Sequence, residues 1–178
     1  MIVRNNFFGA VRALICVVLF ISLTLSCVSC AERKVRCSYA ELALDLPRSF
    51  EPYLAEDTFD AAFYDGVTMV GMLRVSFVAG YDNGIPDTLS PEGFARYYMN
   101  KTGKEADIDF VGEVPYFIYY NTEGGTTYFY LATFYRTLYA YFAVTYITEA
   151  SNEYRNTDSY LEYASSAYML DVETKENN

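Results

Sequence analysis

The side chains whose types and spacing offer chemistry in this chain are carboxylates. Glu105, Asp107 and Asp109 alternate, so on an extended segment they share one face and could hold Ca²⁺ through oxygens. Asp82 and Asp87 bracket a turn, and Glu56, Asp57 and Asp60 make a third group. None follows the spacing of a calcium loop, so solvated surface carboxylates are the expectation, with no metal and no cofactor. Two acids facing each other across a cleft would suit glycoside hydrolysis, one protonating the leaving group and the other attacking or activating water. That makes a secreted, carboxylate-dependent hydrolase the alternative to a protein without catalysis. Other chemistries are closed. The chain has no histidine, which removes Ser-His-Asp and Cys-His catalysis and every histidine-containing metal site. Its four cysteines, Cys16, Cys27, Cys30 and Cys37, all precede the main body of the sequence, so a thiolate cluster is not expected. Gly124-Gly125 reads as a turn, and no phosphate-binding loop is present.

Tyrosine is the surplus: 19 in 178 residues. Tyr119, Tyr120, Tyr135, Tyr139 and Tyr141 crowd together in the sequence, in and around one aromatic stretch. Packing on a sheet face with the hydroxyl at the wet edge is the simpler use of such rings. The functional use is a contact patch for a protein or glycan partner, because tyrosine is enriched at binding hot spots. Charge narrows the partner. From Ser38 onward there are 8 basic and 22 acidic side chains, a net of −14, so nucleic acid and anionic membrane surfaces are repelled.

The N-terminus supplies an address. Residues 1–30 read as a signal peptide: Arg4 and Arg12 precede the 13-residue apolar run Ala13–Leu25, which is short for a span. Leu23-Thr24-Leu25-Ser26-Cys27 is similar to a bacterial lipobox, which makes Cys27 the lipidation candidate, with Cys30 as the alternative. Ordinary cleavage after Ala31 would instead release a secreted protein. Residues 31–38 read as a tether, and 171–178 as a disordered tail. The expected location is the extracytoplasmic face of a bacterial cell membrane, held by the N-terminal lipid anchor.

The elements follow from pattern. The stretch Thr126–Thr148 carries one charge, Arg136, and is dense in threonine and aromatic rings, which are strand formers. It reads as strands at 126–135 and 139–148 with a turn at 136–138, both faces apolar, and Arg136 at or beside the turn, where its charge meets water. The alternative is a second membrane span at 126–148. Upstream, Tyr39–Leu46 reads as one strand, 47–57 as irregular, and 59–64 and 67–78 as a hairpin about Asp65-Gly66. Residues 79–89 read as a loop. A helix then starts at the N-cap Ser90 and Pro91 and ends at Gly103. Strand material at 108–111 and 114–121, a turn at 122–125 and a last helix near 157–170 complete the order.

Several segments resemble the PsbP-like superfamily. They are the first strand closing on LDLPRSF, the SPEGFARYYM helix, the pair VGEVPYFIYY and FYLATFYRTLYAYFAVTY, and the closing helix YLEYASSAYML. The resemblance covers residues 39–170 and implies an α+β fold: an antiparallel β-sheet of about six strands with helices packed on both faces, a PsbP-like α/β/α sandwich. It also implies a binding or assembly role with another envelope component. No functional residue is carried over by it.

The address has a direct check. Full-length protein is expected to fractionate with membranes and be released by detergent. Replacing Cys27 and Cys30 together with Ser should block processing or move the protein to the soluble extracytoplasmic fraction. A doubly substituted chain that is processed and still membrane-bound would refute lipid anchoring.

Overall fold

The computed structural model describes residues 33–55 and 58–170. The signal segment with Cys27 and Cys30, the pair Glu56–Asp57 and the tail 171–178 lie outside the described residues. The strands are β1 (Lys34–Tyr39), β2 (Leu42–Pro47), β3 (Glu51–Tyr53), β4 (Ala61–Tyr64), β5 (Met69–Ser76), β6 (Asp109–Val111), β7 (Val114–Glu123), β8 (Thr126–Arg136), β9 (Ala140–Glu149) and β10 (Tyr168–Met169). The helices are α1 (Phe77–Asp82), α2 (Pro91–Thr102) and α3 (Glu153–Ser165). Seven strands form one antiparallel sheet in the order β3-β4-β5-β9-β8-β7-β6, and β1-β2-β10 form a second, smaller one.

The β8–β9 hairpin sits at the centre, as its residue types predict, and the register from Tyr128↔Glu149 to Arg136↔Tyr141 fixes both faces. Phe129, Leu131 and Tyr135 point one way with Phe142, Val144 and Tyr146, into a core closed by α3 and by Leu42, Leu44 and Leu46 of the small sheet. Ala132 and Phe134 point the other way with Tyr141 and Ala143, into a second core closed by Ile85 and by Phe94 and Ala95 of α2. The stretch once open to a membrane-span reading is therefore two strands, and among the described residues no helix is long and apolar enough to cross a membrane. Arg136 is the last residue of β8. Its guanidinium donates to the Asp87 carbonyl at 3.1 Å and lies over the Phe77 ring at 5.2 Å.

Several local expectations are corrected. The single strand at 39–46 is a hairpin: Ala40, at φ 48°, and Glu41 form a two-residue turn, with Tyr39 opposite Leu42. Residues 34–38, read as tether, are therefore β1, whose Val35, Cys37 and Tyr39 alternate into the core. The strand expected to 78 stops at Ser76, whose Oγ accepts from the Ala79 amide at 3.2 Å and caps α1 where a loop was expected. The last helix begins at Glu153 and ends at Ser165, after which Tyr168–Met169 turns back to pair with β2. Residues 51–53, inside the stretch expected to be irregular, form the edge strand β3. The main sheet thus has seven strands where about six were expected.

An ion pair links the two sheets beside the core they share. Arg74 of β5 donates from Nε to Glu41 Oε2 at 2.8 Å, and Glu41, in the β1–β2 turn, is 7% exposed. The guanidinium hydrogen bond holds the Glu41 carboxyl below its ordinary value of 4.5, against the opposing pull of burial. A lowered folded value means that the carboxylate stabilises the native state above its unfolded pKa, and that this stabilisation is lost as pH falls through the folded value. Glu41→Gln is expected to cost about 2 kcal/mol at neutral pH, less than a fully buried pair because the Arg74 side chain stays 26% exposed. It should also flatten the fall in stability below pH ~4.5. Urea unfolding of both proteins across that range checks this, and parallel acid slopes would overturn it.

Candidate binding face

The helix that covers the second face is too short to cover all of it. Ser90 Oγ accepts from the Gly93 amide at 3.1 Å and Gly103, at φ 64°, closes the far end, as the sequence predicts. The helix between them has 12 residues and spans about 18 Å at 1.5 Å per residue, whereas the 11 residues of β8 span about 37 Å. Phe94 anchors α2 over one end of the sheet, stacked on Tyr141 at 4.6 Å and edge-on to Phe134 at 5.9 Å. The other end of the same face has no helix over it among the described residues.

Register identifies what this open half carries. Tyr130 is opposite Tyr119 on β7 and Ile147 on β9, Ile147 is opposite Met69 on β5, and Met69 is opposite Tyr64 on β4. One row further out, Tyr128 lies between Asn121 and Glu149. A groove of about 510 Å³ runs between Tyr53, Tyr64, Val67, Tyr128 and Ile147, with Glu149 and Asn152 on its rim. Tyr53 and Tyr64 are exposed and tilt together at 5.5 Å. Phe59 marks the boundary with the covered half. Its ring lies on Gly71, where a Cβ would meet it at 2.5 Å, so only glycine lets the ring reach the sheet.

Electrostatics keep these phenols as donors. Tyr119 stacks on Tyr130 at 4.7 Å and 11°, and Lys104 Nζ sits 4.8 Å above the Tyr119 ring. Burial pushes the Tyr119 hydroxyl up strongly, and burial and then Glu123 raise Tyr130. Both remain protonated at neutral pH. Half-buried rings with hydroxyl donors at the surface, beside carboxylates and amides, suit contacts with polar, uncharged or cationic groups.

The five tyrosines singled out in the sequence do not form one patch. Tyr119 lies on the open half. Tyr120 points to the opposite face, where its hydroxyl donates to Glu153 Oε1 at 2.6 Å, which raises its pKa to about 12. Tyr139 is exposed in the β8–β9 turn. Tyr135 and Tyr141 are core, which corrects their candidacy: Tyr135 donates to the Ala164 carbonyl at 3.0 Å and Tyr141 to the Pro86 carbonyl at 2.8 Å. Tyr53, Tyr64, Tyr128 and Tyr130 were missed. The alternation of β8 was a usable signal, since Tyr128 and Tyr130 share a face with Ala132 and Phe134.

The acids separate as well. Glu105, Asp107 and Asp109 are exposed and line one groove beside β7. Asp60 accepts from the Arg74 amide at 2.6 Å on the far side of β9 and β8. Three strand spacings separate β5 from β7, roughly 14 Å, beyond the reach of a paired-carboxylate mechanism. Among the described residues no three acidic or cysteine side chains are placed to hold a metal ion.

Neither a family model nor a curated protein sequence matches the chain. Solved structures do. A protein of Bacteroides thetaiotaomicron VPI-5482 aligns with 78% of this chain and 49% of its own, at 11% identity and a TM-score of 0.56, so this chain spans about half of that protein. LpqN of Mycobacterium tuberculosis, described as involved in cell envelope biogenesis, aligns with 76% of this chain and 90% of its own, at 5% identity and a TM-score of 0.50. Cyanobacterial PsbP from Synechocystis sp. PCC 6803 aligns with 80% and 95%, at 10% identity and a TM-score of 0.43. At these identities the likeness is one of fold. The fold implied by the PsbP-like resemblance, an antiparallel sheet with helices on both faces, is the fold observed.

Proposed function

We propose that this chain is a lipid-anchored extracytoplasmic protein whose PsbP-like domain binds another envelope component, protein or glycan, and catalyses nothing. The observation that carries this reading is the half-face beyond the reach of α2, where Tyr64 is exposed and Tyr128, Tyr130 and Tyr119 are half-buried. Aromatic rings gathered at the surface on one face of a folded domain mark a contact surface. Tyrosine suits it because a flat ring gives area while the hydroxyl gives direction. LpqN, which shares the fold, is described as acting in cell envelope biogenesis, and the signal and lipobox-like segments point to the same compartment. The acidic charge of the domain keeps it off an anionic bilayer, so the anchor supplies proximity and the sheet face supplies recognition.

Photocrosslinking in intact cells tests the reading. A crosslinking residue placed at Tyr64 or Tyr128 is expected to capture one discrete envelope component, sensitive to protease if a protein and resistant if a glycan. The same residue at Arg96, exposed on α2, should capture nothing comparable. Equal patterns at all three positions, or none at 64 and 128, would remove the open face as the binding surface.

A further inference from the structure

The outer edge of β7 is open over most of its length. β6 pairs only with Val114–Tyr116, and among the described residues no strand pairs with that edge from Phe117 to Glu123. The inner edge is fully taken by β8 from Tyr116 to Glu123. The outward N–H and C=O groups of alternate residues in this stretch therefore form a template for another strand. Natural edges are usually blunted by proline, lysine or a bulge. Pro115 lies within the part β6 covers, the segment 117–123 contains neither proline nor lysine, and its register with β8 runs without a break.

The space beside this edge is shaped and charged. The chain from Gly103 to Asp109 runs beside β7 as a wall, with Ala106 and Ile108 packed against the second core and Asp109 paired with Tyr116, and bounds a groove of about 580 Å³ along Tyr116–Tyr120. Glu105, Asp107 and Asp109 are exposed along that wall. The groove's cation, Lys104, is committed to the Tyr119 ring. We propose that the β7 edge takes up an extended, lysine- or arginine-rich segment of a partner protein by strand addition, the backbone supplying the hydrogen bonds and the three carboxylates selecting for basic side chains. Charge argues against a second copy as the occupant, because each chain would bring a net charge of −10 to an acidic groove. This site uses a backbone edge and is separate from the tyrosine half-face.

The test uses the full chain in detergent and a labelled ten-residue peptide alternating Val or Thr with Lys, followed by fluorescence anisotropy. The Lys peptide should bind about tenfold or more tightly than its Glu counterpart, and weaken as salt is raised. The triple substitution E105Q/D107N/D109N should weaken it about tenfold. An antiparallel strand bonds to one neighbour through alternate residues, so N-methylation of alternate peptide nitrogens should abolish binding in one phase and spare it in the other. Amide exchange at 117–123 should slow in the complex. Equal binding of both methylated peptides would overturn strand addition, and equal binding of the Glu peptide would overturn charge selection. A dimer protected at 117–123 without peptide would assign the edge to a second copy and overturn the proposal.

Discussion

A hairpin with no polar face has to be roofed twice. β8 and β9 carry large apolar side chains in both directions of the pleat, and water can solvate neither. Everything else in the domain answers that demand. On one side α3 and the small sheet supply Tyr160, Ala164, Leu42 and Leu44, and on the other α2 supplies Phe94 and Ala95. The roofs differ in kind, and so do their consequences. The first extends along the hairpin from Phe129 to Tyr135. The second is built on one helix of about three turns with Ile85 beside it, and where it stops the sheet reaches the surface with its aromatic rings still attached.

The Glu41–Arg74 pair belongs to the same logic. The small sheet is a separate hydrogen-bonded body whose leucines pack into the first core. The charged pair adds to that packing a contact of fixed geometry with the large sheet. It sits at a turn whose first residue, Ala40, adopts a left-handed conformation, and the Glu41 carbonyl also accepts from the Leu170 amide at 2.8 Å. One turn thus ties together the start of the domain, β5 of the large sheet and the segment that follows α3.

The sequence showed the centre of this protein better than its margins. Two-faced strands, the Gly124-Gly125 turn and the capped helix at Ser90 are local signals, and each stands where the residues predicted, whereas the hairpin at Asp65-Gly66 closes through a four-residue loop with Tyr64 opposite Met69, because the Asp65 carboxylate accepts from the Val67 and Thr68 amides. β1 was hidden because Arg33, Lys34 and Arg36 dominate a segment whose alternate residues face inward, Val35 half-buried and Cys37 buried. α1 was hidden because six residues carry too few turns to show a period, and its capping serine follows a strand with no break. The tyrosines show the limit most plainly. Composition marked them, and alternation placed Tyr128 and Tyr130 on one face. Only the position of α2 decides that Tyr141 is sealed while Tyr130, on the same face, is not. That position depends on contacts between Phe94, Phe134 and Tyr141, which are distant in the chain.

Gly71 sets a dimension that no side chain near it sets. Because it has no Cβ, the Phe59 ring rests directly on the sheet between the roofed and unroofed halves of one face. Phe59 precedes β4, so the boundary between the two halves is held by a residue outside the paired strands. The extent of the covered half is thereby set by Phe59 as well as by α2.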